Sequence, residues 1–333
     1  MATFENGNTT MNETQPSSCP SNPIAEKIGK TFAYFLIFLV SLAGNTVIAV
    51  IVYKTKTMRK PINFLIVNMA MSDLLFPIFL FPRKIQMLYV DSWLIGGPLG
   101  QVLCKLSCFE DVSVFVSIQN LVLITVDRFG AVVFPLRFRL ISSKLCPFFI
   151  LFTWIVAIAV ISPNVFALKL VSTYPGGLRC EMHWDEAFGG STSYENYFAG
   201  TFFVHSFIAL LLIAILYIII FLKLKSHKIP GEHSVNTERQ RQQRERNVLK
   251  MAIAIVLGFA VCWLPIAIST ILIFFVNNIV WRLWPCGFRY FITVASFMAR
   301  ANCAVNPCIC FIFSRNYREG LNTFLRQSRV WST

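Results

Sequence analysis

The fold class that the sequence predicts is an all-α membrane protein, a seven-transmembrane helix bundle with a short amphipathic helix 8. Three observations lead there. The 333-residue chain is 56% hydrophobic and only 14% charged, whereas a soluble domain carries about 25% charge. Seven apolar runs follow a polar tail, each long enough to cross a hydrocarbon core of about 30 Å. The basic residues are also segregated: of thirty Lys and Arg, twenty fall to one side of the bilayer, nine to the other, and Arg300 lies inside a span. The net charge of +14 is therefore a topology signal and an attraction to anionic lipid, not a nucleic-acid footprint. By the positive-inside rule the N-terminus is outside and the C-terminus in the cytosol.

Residues 1–30 form the polar outer tail, with two glycosylation triplets at Asn8-Thr9-Thr10 and Asn12-Glu13-Thr14. Thr31–Tyr53 is too long for a cleaved leader and lacks its small-residue site, so it reads as a retained first span. The other runs are 62–88, 104–130, 146–168, 197–222, 248–276 and 288–312. Span three organises the rest. Cys104 and Arg128 stand 24 residues apart, about 36 Å of helix. A cysteine thus meets one water interface and the Asp127-Arg128 pair the other, with Glu110 and Asp111 below the cysteine. Ionisable groups inside a membrane helix are functional candidates, because lipid tolerates them only with a partner or a water cavity. Beyond span four, the loop 169–196 carries a Pro-Gly-Gly turn before Cys180, which predicts a hairpin lid. Pro265 removes a backbone donor and predicts a kink in span six. The connection 223–247 is short and basic. Ser314–Arg326 sets Tyr317, Leu321, Phe324 and Leu325 among arginines, the pattern of an amphipathic helix on the inner leaflet. Three regions result: tail 1–30, seven-span domain 31–313, and helix 8 with a short cytoplasmic tail, 314–333.

Inverted repeats and paired broken helices, the marks of transporters and channels, do not occur. His183, His205, His227 and His233 form no metal spacing, and no nucleophile or phosphate motif is present, so no residue reads as catalytic.

Six signatures, in order, resemble the class A (rhodopsin-like) G-protein-coupled receptors over about 31–326. They are Gly44-Asn45, Asn68-Met-Ala-Met-Ser-Asp73-Leu, Asp127-Arg128-Phe129, Trp154, Cys262-Trp263-Leu264-Pro265 and Asn306-Pro307. The resemblance implies a plasma-membrane receptor coupled to a heterotrimeric G protein, and arrestin after phosphorylation. It implies that Arg128 pairs with Asp127 at rest and meets the G protein once span six swings out. Glu245, 20 residues before Pro265, is either a second restraint or a solvated charge. Trp263 resembles the family's switch tryptophan, with Ile118 and Phe259 beneath. A sodium ion is implied at Asp73, Ser117, Asn302 and Asn306, with Cys303 where a serine is more usual; a water-filled polar cluster is the alternative. Two positions depart from the pattern: Ala209 replaces the proline of span five (counted from Tyr217), and Cys310 replaces the tyrosine after Asn306-Pro307. Cys104 and Cys180 match the family's disulfide. The Cys104–Arg128 spacing is one residue shorter than usual, which leaves Cys108 as a competitor. Cys19 and Cys286 are candidates for a second outer bridge.

The ligand pocket is expected between the outer ends of the spans. Glu110 stands where amine receptors keep an aspartate, and Arg300 is expected to face it. Two readings stay open: an internal Glu110–Arg300 salt bridge, or a ligand cation received by Glu110. Asp111, Glu181, Asp185, His205, Thr270 and Ser296 complete the candidate lining. Span seven has no lysine for a retinal Schiff base, and Ile266, Ala267, Phe202 and His205 suit an amine poorly. Spans two and three resemble those of neuropeptide receptors for RF-amide, galanin and tachykinin peptides. The expected ligand is a peptide, one ending in Arg plus an amidated aromatic; a biogenic amine or other small cation is the alternative.

Overall fold

Each predicted span is helical in the computed structural model, which describes residues 23–90, 92–134, 140–173, 177–189, 196–197, 200–201, 203–226, 235–283 and 285–330. Span one is Pro23–Lys54, span two Pro61–Tyr89, span four Cys146–Ala167 and span seven Pro285–Phe313. Span five passes from a π-helical segment, Phe203–Ile208, into Ala209–Ser226. Span six is one helix from Val235 to Leu283, with Pro265 inside it. Among the described residues seven helices are long and apolar enough to cross a membrane.

The ends differ from expectation where polar residues continue a helix. Span one starts at Pro23, well before Thr31. Lys30 pairs with Glu26 one turn away, and the Thr31 and Tyr89 hydroxyls share a hydrogen bond of 2.9 Å that ties this extension to span two. Span three is divided into Gly97–Leu106 and Phe109–Val133. At the junction the N–H groups of Ser107, Cys108 and Glu110 donate to the carbonyls of Cys104, Lys105 and Ser107, each at 3.2 Å. These are bonds to the third residue back, the tighter 3₁₀ winding.

In lipid the hydrophobic effect does not drive helices together, so close backbone approach and buried polar contacts must hold a bundle. Leu257, Val261 and Leu264 accordingly face outward, while Asn68 is buried and ties three spans. Its Nδ2 donates to Asn120 Oδ1 at 2.9 Å, and Trp154 Nε1 donates to its Oδ1 at 2.8 Å. Gly44 allows the closest approach: a Cβ there would lie 2.6 Å from the Cβ of Pro307. Gly44→Val forces spans one and seven apart and should cost about 1–3 kcal/mol, the usual range for overpacking. Thermal melting of the purified protein checks this.

The C-terminal helix, Arg315–Val330, extends past the expected Ser314–Arg326 and packs under spans one and two. Tyr317 is 1% exposed and its hydroxyl donates to Asn63 Oδ1 at 3.3 Å. Burial pushes that phenol well above its ordinary range. Lys54 Nζ sits 5.7 Å from the Phe324 ring.

The expected hairpin is formed by β1 (Leu168–Thr173) and β2 (Gly177–Met182), antiparallel with Leu170 opposite Cys180. Gly177 has φ +81°, open to a residue without Cβ. Cys180 is bonded to Cys104, with Cα atoms 5.6 Å apart. Gln101 grips β1 from span three: its Nε2 donates to Leu168 O at 3.1 Å, and its Oε1 accepts from Leu170 N at 2.8 Å. Trp93 N donates to Leu178 O at 2.6 Å and fastens the other strand.

Candidate functional site

Three polar stations lie along the bundle. At the outer one, Glu110 and Arg300 form no direct ion pair. Arg300 Nη1 instead donates to Tyr34 Oη at 3.2 Å, and Tyr34 is held there by Phe81 and Phe297, with ring centroids 5.4 and 5.8 Å away. Glu110 is half-buried, in electrostatic reach of Lys84, Arg300 and Arg83. Arg83 and Lys84 were not among the candidates, since cations at a helix end read as interface anchors. The Arg83 guanidinium lies over Trp93, 5.3 Å from the ring centroid.

Other expected lining residues are dispersed. Asp111 is exposed and neighbours Glu110. The His205 ring lies 4.5 Å from that of Phe115, which joins span five to span three. Thr270 spends its hydroxyl on Ile266 O at 2.9 Å, within its own helix; Ser296 is half-buried. Glu181 and Asp185 sit on the lid, and neither forms an ion pair among the described residues. Lys169, opposite Glu181 in the ladder, pairs with Glu186. That hydrogen bond, with the lysine charge and His183 Nδ1 at 3.2 Å, holds the Glu186 carboxyl below its ordinary range.

At the middle station Asp73 accepts from Asn306 Nδ2 at 2.8 Å and from Ser117 Oγ at 3.4 Å. Ser117 also shares a 3.0 Å hydrogen bond with Ser72. Ser113, which sequence reasoning missed, donates to Ser72 O at 2.7 Å and lines a small cavity with Asp73, Ser117, Asn302 and Trp263. The side-chain oxygens of Asn302 and Asn306 are buried and, among the described residues, have no hydrogen-bond partner. Cys303 Sγ donates to Arg300 O at 3.3 Å. The Asp73 carboxylate, the Ser113 and Ser117 hydroxyls and the Asn302 amide around so small a void, with Asn306 bonded to Asp73, form a hard-oxygen donor set that fits a small cation.

The inner station is the Asp127–Arg128 pair, with Arg128 Nε 3.2 Å from Asp127 Oδ2 and side chains 13% and 9% exposed. Tyr217 of span five brings a buried hydroxyl toward Thr125 and Arg128. Above it Ile118 and Phe259 share one core cluster, and Trp263 stacks on Phe259 at 5.8 Å. Cys310 is fully buried in that cluster. The Glu245 side chain, and Asn8, Asn12 and Cys19, lie outside the described residues; Cys286 is disulfide-bonded.

Seven spans, a disulfide-fastened lid and a buried polar axis define a seven-helix membrane receptor. Residues 44–309 match the family described as 7 transmembrane receptor (rhodopsin family), and the chain belongs to it. It is 30% identical to a QRFP-like peptide receptor of Branchiostoma floridae, over 92% of this chain and 79% of that receptor. It is 29% identical to the RYamide receptor of Drosophila melanogaster, over 86% of this chain and 61% of that protein. Neuropeptide FF receptor 1 of Rattus norvegicus is 29% identical over 93% of this chain and 73% of its own length.

Proposed function

We propose that this multi-pass protein is a plasma-membrane receptor for a neuropeptide, with its N-terminus outside and a heterotrimeric G protein as its cytosolic partner. The observation that carries the reading is that relatives named for peptide ligands align with 86% to 93% of the chain. The braced hairpin supports it, as a platform for an extended ligand. Asp111, Glu181 and Asp185 offer carboxylates to ligand cations. A small amine is less favoured, because Lys84, Arg300 and Arg83 already share Glu110. Ligand docking is read as loosening the Trp263–Phe259–Ile118 packing, swinging the inner half of span six outward about Pro265, and freeing Arg128 from Asp127. Arrestin, glycans on Asn8 and Asn12, and anionic lipid under the C-terminal helix belong to the same proposal. So does a second outer bridge between Cys19 and Cys286.

A peptide-library screen with calcium and cyclic-nucleotide readouts tests it. Active peptide pools are expected; a receptor answered only by amines overturns the peptide assignment. Asp73, Ser117, Asn302 and Asn306 would hold a sodium ion, whose fixed positive charge would favour the resting bundle. Replacing choline by sodium should then weaken agonist affinity about fivefold, an allosteric coupling near 1 kcal/mol. Asp73→Asn should abolish the difference. Equal sodium sensitivity in that variant argues for a water-filled cluster.

A further inference from the structure

The outer station has an imbalance that the peptide reading alone leaves unused. Arg83, Lys84 and Arg300 gather round Glu110, and Asp111 lies beside it. Among the described residues no ion pair joins any of these five. The Nε–H groups of both arginines are buried and, among the described residues, have no acceptor. Their other engagements are neutral: Arg83 lies over the Trp93 ring and Arg300 donates to the Tyr34 hydroxyl. Three cations thus share one carboxylate in common. An unmatched buried donor costs more than an exposed one, and a guanidinium is built to meet a carboxylate in two parallel hydrogen bonds. The tyrosine and tryptophan fix the two guanidiniums on spans seven and two, and Lys84 lies in charge range of both.

We propose that this station receives a carboxylate of the ligand, seated among Arg83, Lys84 and Arg300, while Glu110 serves as a built-in counter-ion. The inference deepens the peptide reading and rests on it only for the source of the anion: a free C-terminal carboxylate, an internal Asp or Glu, or a non-peptide acid. An amidated ligand end stays compatible with it where the carboxylate is an internal Asp or Glu.

The test uses the full-length receptor in two arms. In the first, the purified protein in nanodiscs is melted with 3-phenylpropionate or with its amide as matched probes. The acid should raise the melting temperature and the amide should not. The acid's effect should vanish in Arg83→Gln and Lys84→Gln, and return in Arg83→Lys, which keeps the charge. Equal shifts from acid and amide, no shift from either, or an acid shift that survives both Gln variants overturns the proposal. In the second arm, signalling is read with peptide pools made as free acids, as amides containing one Asp or Glu, and as amides without any acid. Loss of a carboxylate, or of Lys84, should lower potency about tenfold to hundredfold, the range of one charge-assisted hydrogen bond. Potent acid-free amides indifferent to Arg83→Gln and Lys84→Gln overturn the carboxylate site and leave the peptide reading standing. Activity confined to non-peptide acids does the reverse.

Discussion

Arg128→Gln is expected to abolish agonist-driven nucleotide exchange while leaving surface expression and agonist binding in place. The guanidinium is mostly enclosed, with 13% of its side chain exposed, and its paired carboxylate is 9% exposed. A link this dry is worth more than the fraction of a kcal/mol typical of an exposed ion pair, so the resting bundle keeps it closed. In the proposed mechanism the same guanidinium, once free, meets the G protein. Removing it deletes that contact, and the maximal exchange rate should fall at least tenfold. The complementary change, Asp127→Asn, leaves the arginine unpaired without an agonist. Basal exchange should then rise about fivefold, for a lost link of about 1 kcal/mol. Labelled-nucleotide binding in membranes from expressing cells measures both. An Arg128→Gln receptor that switches on at the normal rate sinks the mechanism.

Cys180→Ala should cost about 3 kcal/mol of stability and most of the agonist affinity. The bond joins residues 76 apart in sequence, which as a soluble loop gives more than 4 kcal/mol by chain entropy. Spans three and four are already held by the bilayer, however, so the loop released is closer to the stretch from span four to Cys180, and the smaller figure applies. Affinity is lost because the hairpin then has no covalent tie to span three and is held there by Gln101 and the Trp93–Leu178 bond. Thermal melting of purified receptor and radioligand binding separate the two effects. A variant that melts normally yet loses binding assigns the bond to lid placement alone.

Much of this axis was legible in the sequence because its chemistry is dictated by lipid. Asp73 inside an apolar run demands partners, and Asn306 and Ser117 supply them. The Asp127–Arg128 adjacency fixes its own contact, and the Pro-Gly-Gly turn ahead of Cys180 marks the hairpin. What escaped was set by direction and winding. Arg83 and Lys84 end an apolar run, where a cation equally well snorkels to the interface; only the bundle shows them round Glu110. Arg300 was expected to meet Glu110, but Tyr34, 266 residues away in sequence, takes its hydrogen bond. Hydropathy also began span one too late, because Glu26 and Lys30 count as polar even while they brace each other on a helix.

The tight junction in span three accommodates a deletion. The resemblance to the family implies one residue more between the upper cysteine and the lower arginine of this rod. Three residues wound as 3₁₀ rise about 1.5 Å further than three α residues, the height of one α residue, and turn about 60° further, over half the rotation that one residue supplies. The stretch at Ser107, Cys108 and Glu110 therefore restores the missing length and much of the missing azimuth within one coil. The acids below keep their bearing toward the neighbouring rods, and the cystine above stays at its depth.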